Sequence, residues 1–349
     1  MNRKTIAVIF GGCSSEYSVS LQSAYAVLSN LKEERYHVIP IGITQEGQWF
    51  CYNGDYAEIP QDTWHQAESC VPAIISPDKK THGLLTFTAD GVKETFLDGV
   101  FPVMHGKNGE DGTLQGLIEL AGIPLIGCDT LSSALCMDKD RAHKLVAGAG
   151  VLVPASVTIT ASVPEEHWHA MVEQLRYPLF VKPVKAGSSY GISKVLAPES
   201  LTEAIRFAFT HDDVVIIEEN IEGFEVGCAV YGNDVLTTGR VDEIELGKGF
   251  FDFTEKYTDS SSTIHMPARI DGETEKRVQE TSKLIYKTLG CKGFARVDSF
   301  LTPEGKIVFN EVNTIPGFTD HSRYPSMMRG IGLSFSDLLD KLIELGCGE

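Results

Sequence analysis

The feature that most constrains this 349-residue chain is a β-ribbon near its C-terminal end, Gly293-Phe-Ala-Arg-Val-Asp-Ser-Phe-Leu-Thr-Pro-Glu-Gly-Lys-Ile-Val-Phe-Asn-Glu-Val-Asn313. Two β-rich runs flank Thr302-Pro303-Glu304-Gly305, which is turn chemistry. A two-residue loop centred on Glu304-Gly305 sets Asp298 opposite Glu311, Arg296 opposite Asn313 and Phe300 opposite Phe309. Strand side chains alternate with period two, so Arg296, Asp298, Glu311 and Asn313 share one face. A bulge at Gly305 would move that register by one. Carboxylates set side by side repel unless something neutralises them, and hard oxygen donors suit Mg²⁺.

The rest of the chain reads as alternating elements. A buried strand at 4–10, a helix over 19–31 and a strand at 36–43 make a β-α-β opening, typical of a parallel sheet with helical covers. A hairpin about Asp90-Gly91, a strand at 99–104, a helix over 113–121 and a strand at 123–127 complete a first unit. A helix over 136–147 leads to strands at 151–159, 179–183, 192–196 and 214–219, with helices over 164–175 and 198–209 between them. The third unit holds a polar loop at 247–262, a helix over 273–289, the ribbon and a final helix capped by Ser334. The domains are expected at 1–128, 129–221 and 222–349.

Charge and cysteine usage narrow the partners. The formal charge of −18 disfavours nucleic acid or an anionic membrane. The apolar run Ile6–Phe10 is too short for a signal-peptide core or a membrane span, and no later stretch is long enough. Eight scattered cysteines without C-x-x-C spacing read as free thiols in a reducing cytoplasm.

No Walker motif and no G-x-G-x-x-G is present. Phe180-Val-Lys-Pro-Val-Lys-Ala-Gly-Ser-Ser-Tyr-Gly191 instead places Lys182 at a strand end before a glycine- and serine-rich loop that can wrap phosphate. Glu218, Glu219 and Glu225 are candidates for an adenine amine and ribose hydroxyls. His105-Gly-Lys-Asn-Gly-Glu-Asp-Gly112 joins a strand to a helix as a tight functional loop. Gly11-Gly12-Cys13-Ser14-Ser15-Glu16 sits at a strand's carboxyl end, where open α/β sheets place ligands.

In order, these motifs resemble the ATP-grasp family, and within it the D-alanine–D-alanine ligases, from Gly11 to Ser322. The resemblance rests on Gly-Gly-x-Ser-x-Glu-x-x-Val-Ser, His-Gly-x-x-Gly-Glu-Asp-Gly, Met137-Asp138-Lys139, Lys-Pro-x-x-x-Gly-Ser-Ser, Glu255-Lys256-Tyr257 and Asn-Glu-x-Asn-Thr-x-Pro-Gly-x-Thr. It implies a mixed α/β and α+β, three-domain ATP-grasp fold with an N-terminal Rossmann-like parallel-sheet domain. It also implies a homodimer. The implied chemistry is phosphorylation of one D-alanine carboxylate by ATP, then attack by the amine of a second D-amino acid, giving a dipeptide, ADP and phosphate. Such an intermediate needs shielding from water.

By the same resemblance, Glu16 holds the first substrate's ammonium, and Ser188 and Tyr257 orient the substrates. Lys139, Lys182 and Ser189 face phosphate, Lys256 is a lid residue, Glu225 takes the ribose, and Glu218 and Glu219 lie by the adenine. Asp298, Glu311 and Asn313 hold two Mg²⁺ ions, Arg296 stabilises the oxyanion, and His105, Gly317 and Ser322 lie against the substrates. Two positions depart from the ordinary D-alanine–D-alanine pattern. Arg323 stands where an apolar residue is usual, and Phe251 where tyrosine is frequent. This pair resembles the D-alanine–D-serine ligases of vancomycin resistance, of the VanG type. An arginine, or the neighbouring Asp242, hydrogen-bonds a serine hydroxyl where leucine cannot. Tyr257 in the lid disfavours the ligases that make D-alanyl-D-lactate. The alternatives are a D-alanine–D-alanine ligase of ordinary cell-wall synthesis and another ATP-grasp carboxylate–amine ligase.

Overall fold

The computed structural model describes residues 3–66, 68–187, 190–245 and 263–348. The N-terminal unit is built on seven strands, β1 (Lys4–Gly11), β2 (Tyr36–Ile43), β3 (Trp49–Tyr52), β4 (Cys70–Ile75), β5 (Gly83–Thr88), β6 (Gly91–Phe96) and β7 (Gly99–Val103). They lie in the order β6-β5-β4-β3-β2-β1-β7. The sheet is parallel only across β2, β1 and β7; the other four strands extend it antiparallel. The run Ile6–Phe10 is wholly shielded because β1 is central and both of its faces are covered. Helices α1 (Tyr17–Asn30) and α2 (Thr113–Ala121) follow the carboxyl ends of β1 and β7. The strand expected at 123–127 is reduced to one parallel bridge, Leu125 with Val100, between Gly122 and Gly127, both at positive φ.

The helix expected over 136–147 is the junction of two, α3 (Thr130–Met137) and α4 (Lys139–Gly148). Asp138 is extended, so it ends the first helix, and its carboxylate accepts the Arg141 N–H at 2.9 Å to cap the second. The central sheet is antiparallel, with β8 (Ser156–Thr160), β9 (Leu179–Pro183), β10 (Ser193–Val195) and β11 (Val214–Glu219) in the order β10-β9-β11-β8. The helix expected over 164–175 shrinks to a 3₁₀ turn and α5 (Trp168–Met171). With α6 (Leu201–Phe209) it covers a separate core of Ile159, Trp168, Val181, Ile205 and Ile217.

The third sheet has β12 (Phe224–Tyr231), β13 (Thr237–Glu245), β14 (Thr263–His265), β15 (Phe294–Leu301) and β16 (Ile307–Asn313) in the order β14-β13-β12-β15-β16. Helix α7 (Gly272–Thr288) backs it with Val278, Ile285 and Tyr286, in a core with Val297 and Phe309. Helix α8 (Arg323–Arg329) was not expected from the sequence. Helix α9 (Phe335–Cys347) begins at Ser334, whose hydroxyl accepts the Asp337 N–H. Phe10 and Phe101 of the first unit share a core with Phe294, Phe318, Tyr324 and Leu342 of the third. Asp340 on α9 takes Lys32 at 2.7 Å and Arg35 at 2.8 Å across the same seam. The first and third sheets are thereby held together behind the cleft.

Candidate active site

The ribbon β15–β16 sets the site. Asp298 pairs with Glu311 and Arg296 with Asn313, as expected, but Phe300 pairs with Val308 rather than Phe309. Two irregularities cancel. Gly305, at φ +74°, adds one residue's shift at the turn, and a bulge at Asn310 takes it back. The bulge also moves the β16 side chains to the other face. Phe309 is in the core, whereas Glu311 looks into the cleft.

Basic side chains neutralise these acids. Asp298 receives Arg296 Nε and Nη2 at 2.9 and 2.7 Å and Asn313 Nδ2 at 2.9 Å, with Arg323 Nη2 at 3.3 Å. Arg323 grips the fully buried Asp242 with Nε at 2.7 Å and Nη2 at 2.8 Å, and reaches Glu225 with Nη1 at 3.1 Å. Burial opposes the charge on Arg323, but Asp242, Asp298 and Glu225 outweigh it and hold the guanidinium well above its ordinary range. Gly227 makes this pairing possible. Its N–H donates to Asp242 Oδ1 at 3.0 Å, and a Cβ there would run into Asp242 and Arg323.

The second unit brings the lysines. Lys139, first residue of α4, donates to the Ala186 carbonyl at 2.8 Å and lies 3.6 Å from Glu311. Lys182 on β9 is paired at 2.6 Å with Glu218 on the adjacent β11. Burial raises Glu218, but Lys182, His143 and Lys139 outweigh it and hold the carboxyl below its ordinary value. Glu219 points elsewhere and takes the backbone N–H and side chain of Arg176.

The first unit contributes Glu16 at the start of α1 and the 105–112 loop. His105 is buried between Ser23 at 3.0 Å and the Ile315 carbonyl at 2.8 Å. The Ile315 carbonyl only accepts, so Nδ1 donates to it and Nε2 of the neutral ring accepts the Ser23 hydroxyl proton, while Ser23 accepts from Phe318 N–H. Burial holds this histidine below its ordinary pKa. Glu110 lies in the same loop, with no role that the sequence alone assigns. Its carboxylate accepts Gly106 N–H at 2.8 Å and Ile315 N–H at 3.0 Å, joining the loop to the chain leaving β16. Burial, then the charge of Glu16, raises it to about 8. The glycine-rich loop closes the ring, since a Cβ on Gly187 would stand 2.7 Å from Glu16 Oε2.

All three units therefore line one cleft of about 250 Å³, with Glu16, His105 and Glu110 on one side, Lys139 and Gly187 on another, and Glu225, Arg296, Asp298, Glu311, Asn313, Gly317, Ser322 and Arg323 on the third. The Ser322 hydroxyl is engaged with Thr319 at 2.8 Å. Ser188, Ser189, Phe251, Lys256 and Tyr257, with the 247–262 loop, lie outside the described residues.

Family models for the N-terminus and the C-terminus of D-ala D-ala ligase match residues 5–128 and 145–344. The chain belongs to the D-alanine–D-alanine ligase family. Its structure superposes on the crystal structure of a VanG D-Ala:D-Ser ligase from Enterococcus faecalis with a TM-score of 0.92 and 60% identity, over 99% of each chain. The vancomycin B-type resistance protein VanB of Enterococcus faecalis is 46% identical over 99% of both chains. The type A protein VanA of Enterococcus faecium is 43% identical over 99% of both. The fold is that of the family's ATP-grasp enzymes, and the chain is an ATP-dependent ligase.

The residues present fit the nucleotide and its metal. Glu218 Oε1 is buried and has no hydrogen-bond partner among the described residues, which suits an amine donor such as adenine's. Asp298, Glu311 and Asn313 offer oxygen donors on one cleft face. Among the described residues no three His, Cys, Asp or Glu side chains converge to hold a metal alone. The carboxylate and amide oxygens of Asp298, Glu311 and Asn313 suit Mg²⁺, which takes few protein ligands and completes its shell with water and phosphate oxygens.

Proposed function

We propose that this chain ligates D-alanine to D-serine with ATP, through D-alanyl phosphate, for the peptidoglycan precursors of vancomycin resistance. The observation that carries the D-serine assignment is Arg323, held by Asp242 and Glu225 at the cleft wall. Its Nε and both Nη atoms meet carboxylates, and among the described residues one Nη1 hydrogen remains for a substrate hydroxyl. An apolar residue here would leave Asp242 buried without its cation. The likeness to a D-Ala:D-Ser ligase supports the same reading.

In this reading ATP supplies the phosphoryl group that turns a poor leaving oxygen into a good one. Lys139 and Lys182, with Ser189 and Lys256, hold the phosphates, and Glu218, Glu219 and Glu225 hold the base and ribose. Asp298, Glu311 and Asn313 hold two Mg²⁺ ions. Glu16 binds the first ammonium, and Ser188 and Tyr257 orient the reactants. His105, Gly317 and Ser322 shape the pockets, the last binding the second carboxylate. Arg296, fixed by Asp298, aims its donors at the oxyanion of the tetrahedral intermediate. Phe251 is a further contact to the second substrate. We place the enzyme in the cytoplasm as a homodimer. No described helix is long and apolar enough to cross a membrane.

The test is product analysis with ATP, Mg²⁺, D-alanine and D-serine at neutral pH. D-Alanyl-D-serine is the expected main product, with D-serine stimulating phosphate release more than further D-alanine. Equal or greater use of D-alanine would make the chain a D-alanine–D-alanine ligase. Turnover of L-amino acids without D-alanine would make it another carboxylate–amine ligase.

A further inference from the structure

His143 has no part in the scheme above, yet it lies between its two halves. It sits on α4 one turn after Lys139, and both side chains are buried. Its Nε2 is 2.8 Å from the Asn310 carbonyl, which only accepts, so Nε2 donates. Asn310 is the extra residue of the β16 bulge, the one that turns Glu311 from the core face to the cleft face. The ring packs edge-on against Phe309, 5.4 Å away, on the other side of that bulge. The opposite nitrogen, Nδ1, lies 3.5 Å from Glu218 Oε1. Both atoms are buried, and neither has a hydrogen-bond partner among the described residues. Glu218 in turn fixes Lys182.

One imidazole thus touches the backbone that aims a metal ligand and the acid that holds a phosphate lysine. Without it the bulge carbonyl would lose a buried donor, and Glu218 would lose its neighbour on the side away from Lys182.

We propose that His143 is a positioning residue that sets Glu311 and the Lys182–Glu218 pair as one unit for binding the metal–nucleotide complex. This rests on the ligase reading. The test uses the full-length enzyme and the variants His143→Leu and His143→Gln. The leucine variant should raise the half-saturating Mg²⁺ concentration and the KM for ATP about five- to tenfold, with the KM for D-alanine within about twofold. Glutamine, which keeps a donor for the Asn310 carbonyl, should recover most of the Mg²⁺ effect. Unchanged Mg²⁺ and ATP dependence with only a lower Tm would make His143 a packing residue and overturn the proposal. A second measurement needs no variant. The His143 ring ¹⁵N resonances of the wild-type chain should move on addition of Mg²⁺ with ADP and stay in place with D-alanine alone. Resonances that ignore Mg²⁺ with ADP, or answer equally to D-alanine, would also overturn it. The ligase reading fails separately, by absence of D-alanine-dependent ADP formation in the wild type.

Discussion

Replacing Arg323 by leucine should act on two observables in different ways. The guanidinium makes two bonds to Asp242, at 2.7 and 2.8 Å, and one to Glu225, at 3.1 Å. Asp242 is fully buried, and with the arginine gone the Gly227 N–H is its one remaining hydrogen-bond partner among the described residues. Removing one member of a buried pair costs about 3–5 kcal/mol, so Arg323→Leu should lower the Tm by several degrees. Preference should shift as well. One lost hydrogen bond to the serine hydroxyl is worth about 1–3 kcal/mol, which is about 5- to 150-fold in the ratio of kcat/KM for D-serine over D-alanine. The assay is phosphate release at matched D-serine and D-alanine concentrations, with chromatography of the dipeptides. Adding Asp242→Asn removes the stranded charge, so the double variant should regain much of the lost Tm while still favouring D-alanine. An unchanged serine-to-alanine ratio in Arg323→Leu, whatever the Tm, would refute the view that this arginine reads the hydroxyl.

Further outcomes follow from the same geometry. Glu110 is raised from its ordinary 4.5 to about 8 by burial and by Glu16, so the fold holds its proton more tightly than the unfolded chain does. Its contribution is complete below about pH 4.5 and is lost as pH rises through about 8, at about 1.4 kcal/mol per unit. Glu110→Gln should therefore flatten the fall in Tm between pH 5 and 8; parallel profiles would contradict this. Gly227→Ala should force Asp242 and Arg323 apart and raise the KM for D-serine about tenfold, with the KM for ATP unchanged, as read by initial rates. Asp298→Asn takes a charge from three of its neighbours and should abolish ADP formation while the chain still folds, as circular dichroism would record.

The parts of this molecule legible in the sequence are those fixed by short-range chemistry. The run Ile6–Phe10, the Asp90-Gly91 turn and the Ser334 cap each declare an element within a few residues. The pairing of Asp298 with Glu311 was legible too, though through two irregularities that cancel: a turn shifted at Gly305 and a bulge at Asn310. Neither has a strong local signature. The split at Asp138 was hidden because Met137 and Lys139 both suit a helix, and the break lies in Asp138's extended backbone and its cap on the Arg141 N–H. Helix α8 starts Arg-Tyr-Pro, a sequence whose helical state depends on burying Tyr324 and Met327 in a distant core. Partnerships across the chain were less legible. Lys182 with Glu218 follows from two neighbouring strands, and His143 with Asn310 from a bulge that no spacing rule reveals. The spacing of Lys139 and His143, four residues apart on one helical face, was the one available hint.

The central claim is that this cleft activates a carboxylate by phosphorylating it. Carboxylate-labelled D-alanine carrying ¹⁸O, incubated with the enzyme, ATP, Mg²⁺ and D-serine, reports on that step directly. Bond formation between a carboxylate oxygen and phosphorus, followed by amine attack at carbon, leaves one ¹⁸O in each inorganic phosphate for each dipeptide formed. Unlabelled phosphate released together with dipeptide would contradict the account.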